Sequence, residues 1–238
     1  YYFNRTTDAL LAFPIANSRG YDELFSNAAS LENRGIELEL GYNIYRDADW
    51  NIDMKLLYFK NQNEVTDLSG VESVRLETGL SGVNNRAVVG YQHGVLWGPR
   101  TLRDDAGQIV FDANGFPLRD NVEGVIGDPN PDWQGSLVGG ITYKKLSLSF
   151  LLETLQGADI FAGTKSALID YGRWGSTANE VTGNQNLLTY DGRVIPAGTS
   201  FRGEIKNFGD GPVALTQQWY NGPGAFFNGG NHELYIED

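Results

Sequence analysis

The chain has 238 residues, a formal net charge of -12, 30 glycines and no cysteine. Without cysteine there is no disulfide, thiolate nucleophile or Cys-ligated metal, and the acidic balance argues against a nucleic-acid surface, which needs clustered Lys and Arg. No apolar run approaches the roughly 20 residues of a membrane helix, but that test misses membrane β-strands, which need only about 9–11 residues of alternating pattern.

The first stretch, YYFNRTTDALLAF (Tyr1–Phe13), already reads as strand. From Ile36, IELELGYNIY puts Ile36, Leu38, Leu40, Tyr42 and Ile44 on one face and Glu37, Glu39, Gly41 and Asn43 on the other. The polar break RDAD follows, and WNIDMKLLYFK resumes the alternation with Ile52, Met54, Leu56 and Tyr58 opposite Asn51, Asp53 and Lys55. This predicts a hairpin over about 30–60. A second hairpin is predicted over about 134–156. There Leu137, Gly139, Ile141 and Tyr143 lead into a tight turn at Lys144–Lys145, and Leu146, Leu148, Phe150 and Leu152 lead out. Between and after these hairpins, over about 61–133 and 157–232, the chain is polar and Gly-rich with few regular runs. Connections of that length are usually functional.

Short turns therefore alternate with very long loops. In an antiparallel meander all the short turns lie at one end and all the long loops at the other, as in outer-membrane β-barrels. One strand face could meet lipid, the other a wet lumen. Tyr42, Tyr45, Trp50, Tyr58 and Tyr143 stand near strand ends, where an aromatic girdle belongs. Alternation by itself equally describes a soluble β-sandwich, and a carbohydrate-binding sandwich is the competing reading. The two differ at Leu38, Leu40, Leu148 and Phe150. These lie on a convex outer face in a barrel and interdigitate with a second sheet in a sandwich.

Signals for bond chemistry are weak. His93 and His232 are the two histidines and lie far apart in sequence. Asp112, Asn114 and Gly115 follow the order that opens a calcium loop, but Phe116 occupies the next ligand position and the pattern reads as an Asp-Asn-Gly turn. Glu37/Glu39 and Asp104/Asp105 are carboxylate pairs that a solvated face explains without catalysis. The loop aromatics Trp97, Trp133, Trp174, Trp219, Tyr220, Phe226 and Phe227 suit either stacking on ligands and partners or packing beneath a loop. Trp97, Trp174, Trp219 and Tyr220 are the candidates for substrate or partner contact; no catalytic residue, metal or cofactor is expected.

Four stretches resemble the SusC/RagA-like TonB-dependent transporters of the Bacteroidetes outer membrane. In SLENRGIELEL, Asn33, Gly35 and Glu37 fit an N-x-G-x-E strand opening. In VVGYQHGVLWGP, Gly90, Gly94 and Trp97–Gly98 fit a paired-glycine segment, with Gln92 where the family usually has Pro. IGDPNPDWQGSL carries Gly127, Pro129, Asn130, Pro131 and Trp133 of a G-[ND]-P-N-P-x-aromatic motif. YKKLSLSFLLETLQGADIF fits a Tyr-Lys hairpin turn and its strand through Gly157, Asp159 and Ile160, with Thr154 where Gly is common. The ordered set covers about Ser30 to Phe161. The resemblance implies an all-β antiparallel meander that is part of a barrel of about 22 strands, with long extracellular loops. By this expectation the chain is a segment of a larger barrel, without the plug domain. It also implies a nutrient importer driven through TonB, taking oligosaccharides or peptides with a SusD-like surface lipoprotein.

Overall fold

The computed structural model describes residues 1–14, 18, 20, 23–76, 82–225 and 230–237. The chain opens with three long strands, β1 (Tyr2–Pro14), β2 (Glu23–Arg46) and β3 (Trp50–Asp67). Four short ones follow, β4 (Ser73–Arg75), β5 (Asn84–Val88), β6 (Val95–Gly98) and β7 (Gly124–Gly127), and then the hairpin β8 (Trp133–Tyr143) and β9 (Leu146–Gln156). The five long strands form one antiparallel sheet in the order β1-β2-β3-β8-β9.

Register explains how the separate alternating runs become one surface. Leu40 lies opposite Leu56, Leu56 opposite Leu137, and Leu137 opposite Leu152. Tyr42, Met54, Gly139 and Phe150 form the next row, and Ile52, Ile141 and Leu148 another. Directly paired residues share a face, so the apolar sets of both hairpins merge into one apolar face. Its aromatic borders are visible: Trp50 packs on Tyr143 with centroids 4.4 Å apart, and Tyr58 stacks on Trp133 at 5.9 Å. From Trp50 to Tyr58 is about 26 Å along the strand. With the tilt of about 40° usual in barrels, that is about 20 Å of height, close to the apolar band of an outer-membrane barrel. Among the described residues no second sheet covers this face: Leu40 is 55% exposed and Leu148 60%. The sandwich reading fails here.

Gly139 has a packing reason. A Cβ there would collide with the ring of Phe150, which lies flat across the glycine from the neighbouring strand. Both tight turns sit at the same end. The Asp47 carboxylate accepts the amides of Asp49 and Trp50 at 2.8 and 2.7 Å, and the Asp49 carbonyl accepts the Lys144 amide of the other turn at 2.7 Å.

The first hairpin runs well past the expected 30–60, from Glu23 to Asp67. Twenty-four residues of β2 extend about 80 Å, far more than a membrane needs. Beyond the apolar band the run of alternating apolar residues breaks up among polar ones, so the sequence signal fades while backbone pairing continues. The long connections also contain more structure than their composition suggests. Residues 68–132 carry the four-stranded antiparallel sheet β4-β5-β6-β7. Strands of 3–5 residues are too short to register as a period.

This small sheet packs on the upper part of the long hairpin through Ala29, Val65, Leu68, Val74 and Ala87, with Leu31 alongside. Leu31 and Val65 share alternation with Glu37 and Phe59. The loop therefore folds over the polar face of the sheet, the side a barrel turns inward. The family-like stretches meet at its base. Asn63 Oδ1 accepts the His93 amide at 2.6 Å, Asn130 Nδ2 donates to the His93 carbonyl at 3.1 Å, and the Asp159 carboxylate accepts the Asp128 amide at 2.6 Å. Three of the motif stretches, from His93 to Asp159, and Asn63 of β3 thus meet in one junction.

Candidate functional site

The second connection supplies most of a compact module above the sheet. In order it contains β10 (Ile160–Phe161), α1 (Gly163–Asp170), α2 (Gly175–Ala178), β11 (Glu180–Thr182), β12 (Leu187–Thr189), β13 (Val194–Ile195), β14 (Ser200–Arg202), β15 (Glu204–Asn207), β16 (Pro212–Leu215), α3 (Gln217–Tyr220), a 3-10 turn at His232–Tyr235 and β17 (Ile236–Glu237). The strands pair as β13-β12-β16-β15, β11-β14 and β10-β17.

The first connection reaches into the core of this module with the ring of Phe116. Asp112 folds DANGF into a turn by accepting the amides of Asn114 and Phe116, each at 2.9 Å, and Gly115 adopts φ 84°. Only a residue without Cβ takes that conformation readily. The turn delivers Phe116, fully buried, into a cluster with Tyr190, Phe208 and Trp219, at ring-centroid distances of 5.5, 6.4 and 5.1 Å. Ile169, Val213, Leu215, Tyr220 and Tyr235 belong to the same core. Polar bonds run in parallel. Glu233 accepts the Thr101 amide at 2.5 Å and pairs with Arg103 at 2.6 Å; Asn231 donates to the Thr101 hydroxyl at 2.7 Å; Asn114 donates to the Tyr190 carbonyl at 3.3 Å. The two long loops are thus one interlocked body.

The contact candidates separate under this geometry. Trp219 is 3% exposed and Tyr220 is also buried, so both build the module's core and neither offers its ring to a partner. They are the two buried residues of α3, which follows β16, while Gln217 and Gln218 are exposed. Trp97 is half-buried in β6 with the Arg86 guanidinium 4.6 Å above its ring. Trp133 belongs to the aromatic border of the sheet. Trp174 is the open one, 38% exposed, with the Lys165 ammonium 5.8 Å from its ring. Phe226 and Phe227 lie outside the described residues. His232 is buried with its ring 5.6 Å from Phe161, and His93 is half-buried at the motif junction. Among the described residues no cluster of three His, Cys, Asp or Glu is placed to hold a metal.

Trp174 borders a cavity of about 460 Å³ between the helices and strands β15 and β16. Phe208, Leu215 and Trp219 line it together with Asn179, Glu204 and Lys206. Sequence reasoning missed Phe116, Arg103 and Glu233. The Asp-x-Asn-Gly turn marked the place, but nothing local said that the residue after it would be buried by a segment about a hundred positions away.

Burial pushes the phenols of Tyr220 and Tyr235 up to about 12. The folded module favours the neutral ring, so its contribution to stability is complete below pH 10, the ordinary tyrosine value, and is lost as pH rises toward 12. In alkaline titration of the protein, two tyrosines should ionise late, with loss of the module's near-UV circular dichroism between pH 10 and 12. Ionisation of all the tyrosines in one step near pH 10 would contradict the packing.

No protein-family model matches the chain. It is 30% identical over 183 aligned positions to TonB-dependent receptor P26 of Formosa agariphila, covering 68% of this chain and 18% of that protein. Among solved structures it is similar to the RagAB peptide transporter, with a TM-score of 0.56 at 22% identity over 71% of this chain and 20% of that one. The RagAB peptide importer in its open-open state gives a TM-score of 0.55 at 17% identity over 99% of this chain and 24% of that one. The chain thus spans about a fifth of the length of these relatives. The ordered motifs, the one-sided long-stranded sheet and these likenesses agree: the chain has the fold of a β-barrel segment of the SusC/RagA-like TonB-dependent receptors.

Proposed function

We propose that this chain forms part of the wall and the extracellular loops of an outer-membrane importer that takes up oligosaccharides or peptides through TonB, with a SusD-like lipoprotein closing over the loop module. The observation that carries the reading is the single apolar sheet face between two aromatic borders, with both short turns at one end and the interlocked loops at the other. An apolar face this wide needs a cover, and its height between the aromatic borders suits lipid; strand edges in lipid survive only when the barrel closes. In this reading the rest of the transporter supplies the strands that close the barrel. No residue is assigned a catalytic role, since translocation breaks no bond.

Topology gives the direct test. In the full-length transporter, epitope tags at the exposed loop tips near Asp105 and Gly198 should be reached by antibody on intact cells. Tags in the turns at Asp47–Asp49 and Lys144–Lys145 should be reached only after the outer membrane is opened. The opposite labelling pattern would overturn the orientation and the importer reading with it.

A further inference from the structure

We propose that Arg34 and Lys60 form a docking site for the phosphate of a lipid headgroup in the outer leaflet, at the upper edge of the apolar face. Register sets the position. On that face the paired rows carry no charge from Leu38–Tyr58–Gly135 down to Trp50–Tyr143. The next two rows above hold the cations: Ile36 pairs with Lys60, and Phe3, Arg34 and Gln62 lie side by side beyond them. Both cations are exposed, and among the described residues neither has an ion-pair partner, in a chain of net charge -12. Acids enter this face one row further out, where Arg5 holds Glu32 at 3.5 Å and Glu64 lies opposite Glu32.

The height matches a headgroup. Successive rows are about 7 Å apart along a strand, or about 5 Å of height at the usual barrel tilt. Lys60 thus stands about 5 Å and Arg34 about 10 Å above Tyr58, whose ring with Trp133 marks the aromatic border. Headgroups add about 5–8 Å to each side of the hydrocarbon core, so Lys60 lies within that layer and the long Arg34 side chain reaches back into it. The two residues are diagonal neighbours on the sheet, about 7–8 Å apart, a gap that both side chains can close around one phosphate. The guanidinium offers a fork of donors and the ammonium a point charge. Lipid is the occupant because the site continues the apolar face: a headgroup held here lays its acyl chains against Ile36 and Leu38. A soluble anion lacks that second contact, and exposed charges in water hold it weakly. The site rests on lipid covering the sheet, and not on what the transporter imports.

Full-length transporter in neutral detergent is titrated with monophosphoryl lipid A, with the same lipid stripped of its phosphate, and with inorganic phosphate, and bound lipid is counted by native mass spectrometry. Wild type should bind the phosphorylated lipid about tenfold or more tightly than the stripped one, the effect of a charge-assisted hydrogen bond. Arg34→Gln with Lys60→Gln should abolish that preference, and Arg34→Lys should keep most of it. Lys55→Gln, which removes a cation from the opposite face, should leave it unchanged. Equal binding of the two lipids by wild type, a preference retained by the double variant, or an equal loss in Lys55→Gln overturns the site. Displacement of the lipid by inorganic phosphate at comparable concentration assigns the pair to a soluble anion and overturns the lipid assignment. Co-purification of an acidic protein that depends on the two cations, without a preference between the lipids, makes the pair a protein contact and overturns it likewise. The loop tags test the importer reading separately, and it stands if they label from outside while the lipid preference fails.

Discussion

Leu40→Arg in the full-length transporter should cost about 2–4 kcal/mol of membrane-inserted stability, the penalty of a cation on the lipid face near the bilayer midplane. Leu40 sits in the four-leucine row with Leu56, Leu137 and Leu152, between the aromatic borders, where no snorkelling route to water is short. Phe150→Arg should be at least as harmful, because it also strips the ring that covers Gly139. On the other face Glu39→Gln loses one solvent-exposed ion pair, Lys55–Glu39 at 2.6 Å. Such pairs contribute about 0–1 kcal/mol. Ser149→Ala changes still less. The measurement is outer-membrane abundance together with denaturant midpoints of the protein refolded in lipid vesicles. Similar losses at Leu40 and Glu39 would mean that the apolar face meets protein and not lipid.

The sheet was legible because its signal is local and repeated. Period-two alternation needs no knowledge of partners, and the register that unites Leu40 with Leu152 only confirms what each strand states separately. The loop module was not, for two physical reasons. Its strands are as short as two or three residues, and its core is built from contacts distant in sequence: Phe116 with Trp219, Thr101 with Glu233. Exposure of a loop aromatic cannot be read from composition when the loop has a core of its own. Trp219 and Tyr220 looked like anchors because they lie among Gly, Asn and Gln. They are buried because Phe116 and Leu215 reach them. Trp174 was legible only by survival, as the candidate whose ring the fold leaves open.

Phe116→Ala should uncouple the two loops while leaving the barrel wall assembled. The ring is fully buried against Tyr190, Phe208 and Trp219, and deleting a buried Phe side chain costs about 3–5 kcal/mol. That cost falls on a module whose elements are each too small to stand alone, so the loss should open it locally. The long strands share no core contact with Phe116, since their pairing to the small sheet runs through Val65, Leu68 and Val74. Outer-membrane abundance should therefore stay near wild type while protease added to intact cells cuts within 100–120 and 178–225 much faster. Phe116→Leu keeps most of the volume and should lie in between. Asp112→Ala removes the acceptor of two turn amides and should act in the same direction by about 1–3 kcal/mol, the cost of leaving such groups unpaired. If Phe116→Ala is cut no faster than wild type, the two loops are held by the strands beneath them, and the interlock contributes nothing to the order of the transporter's outer face.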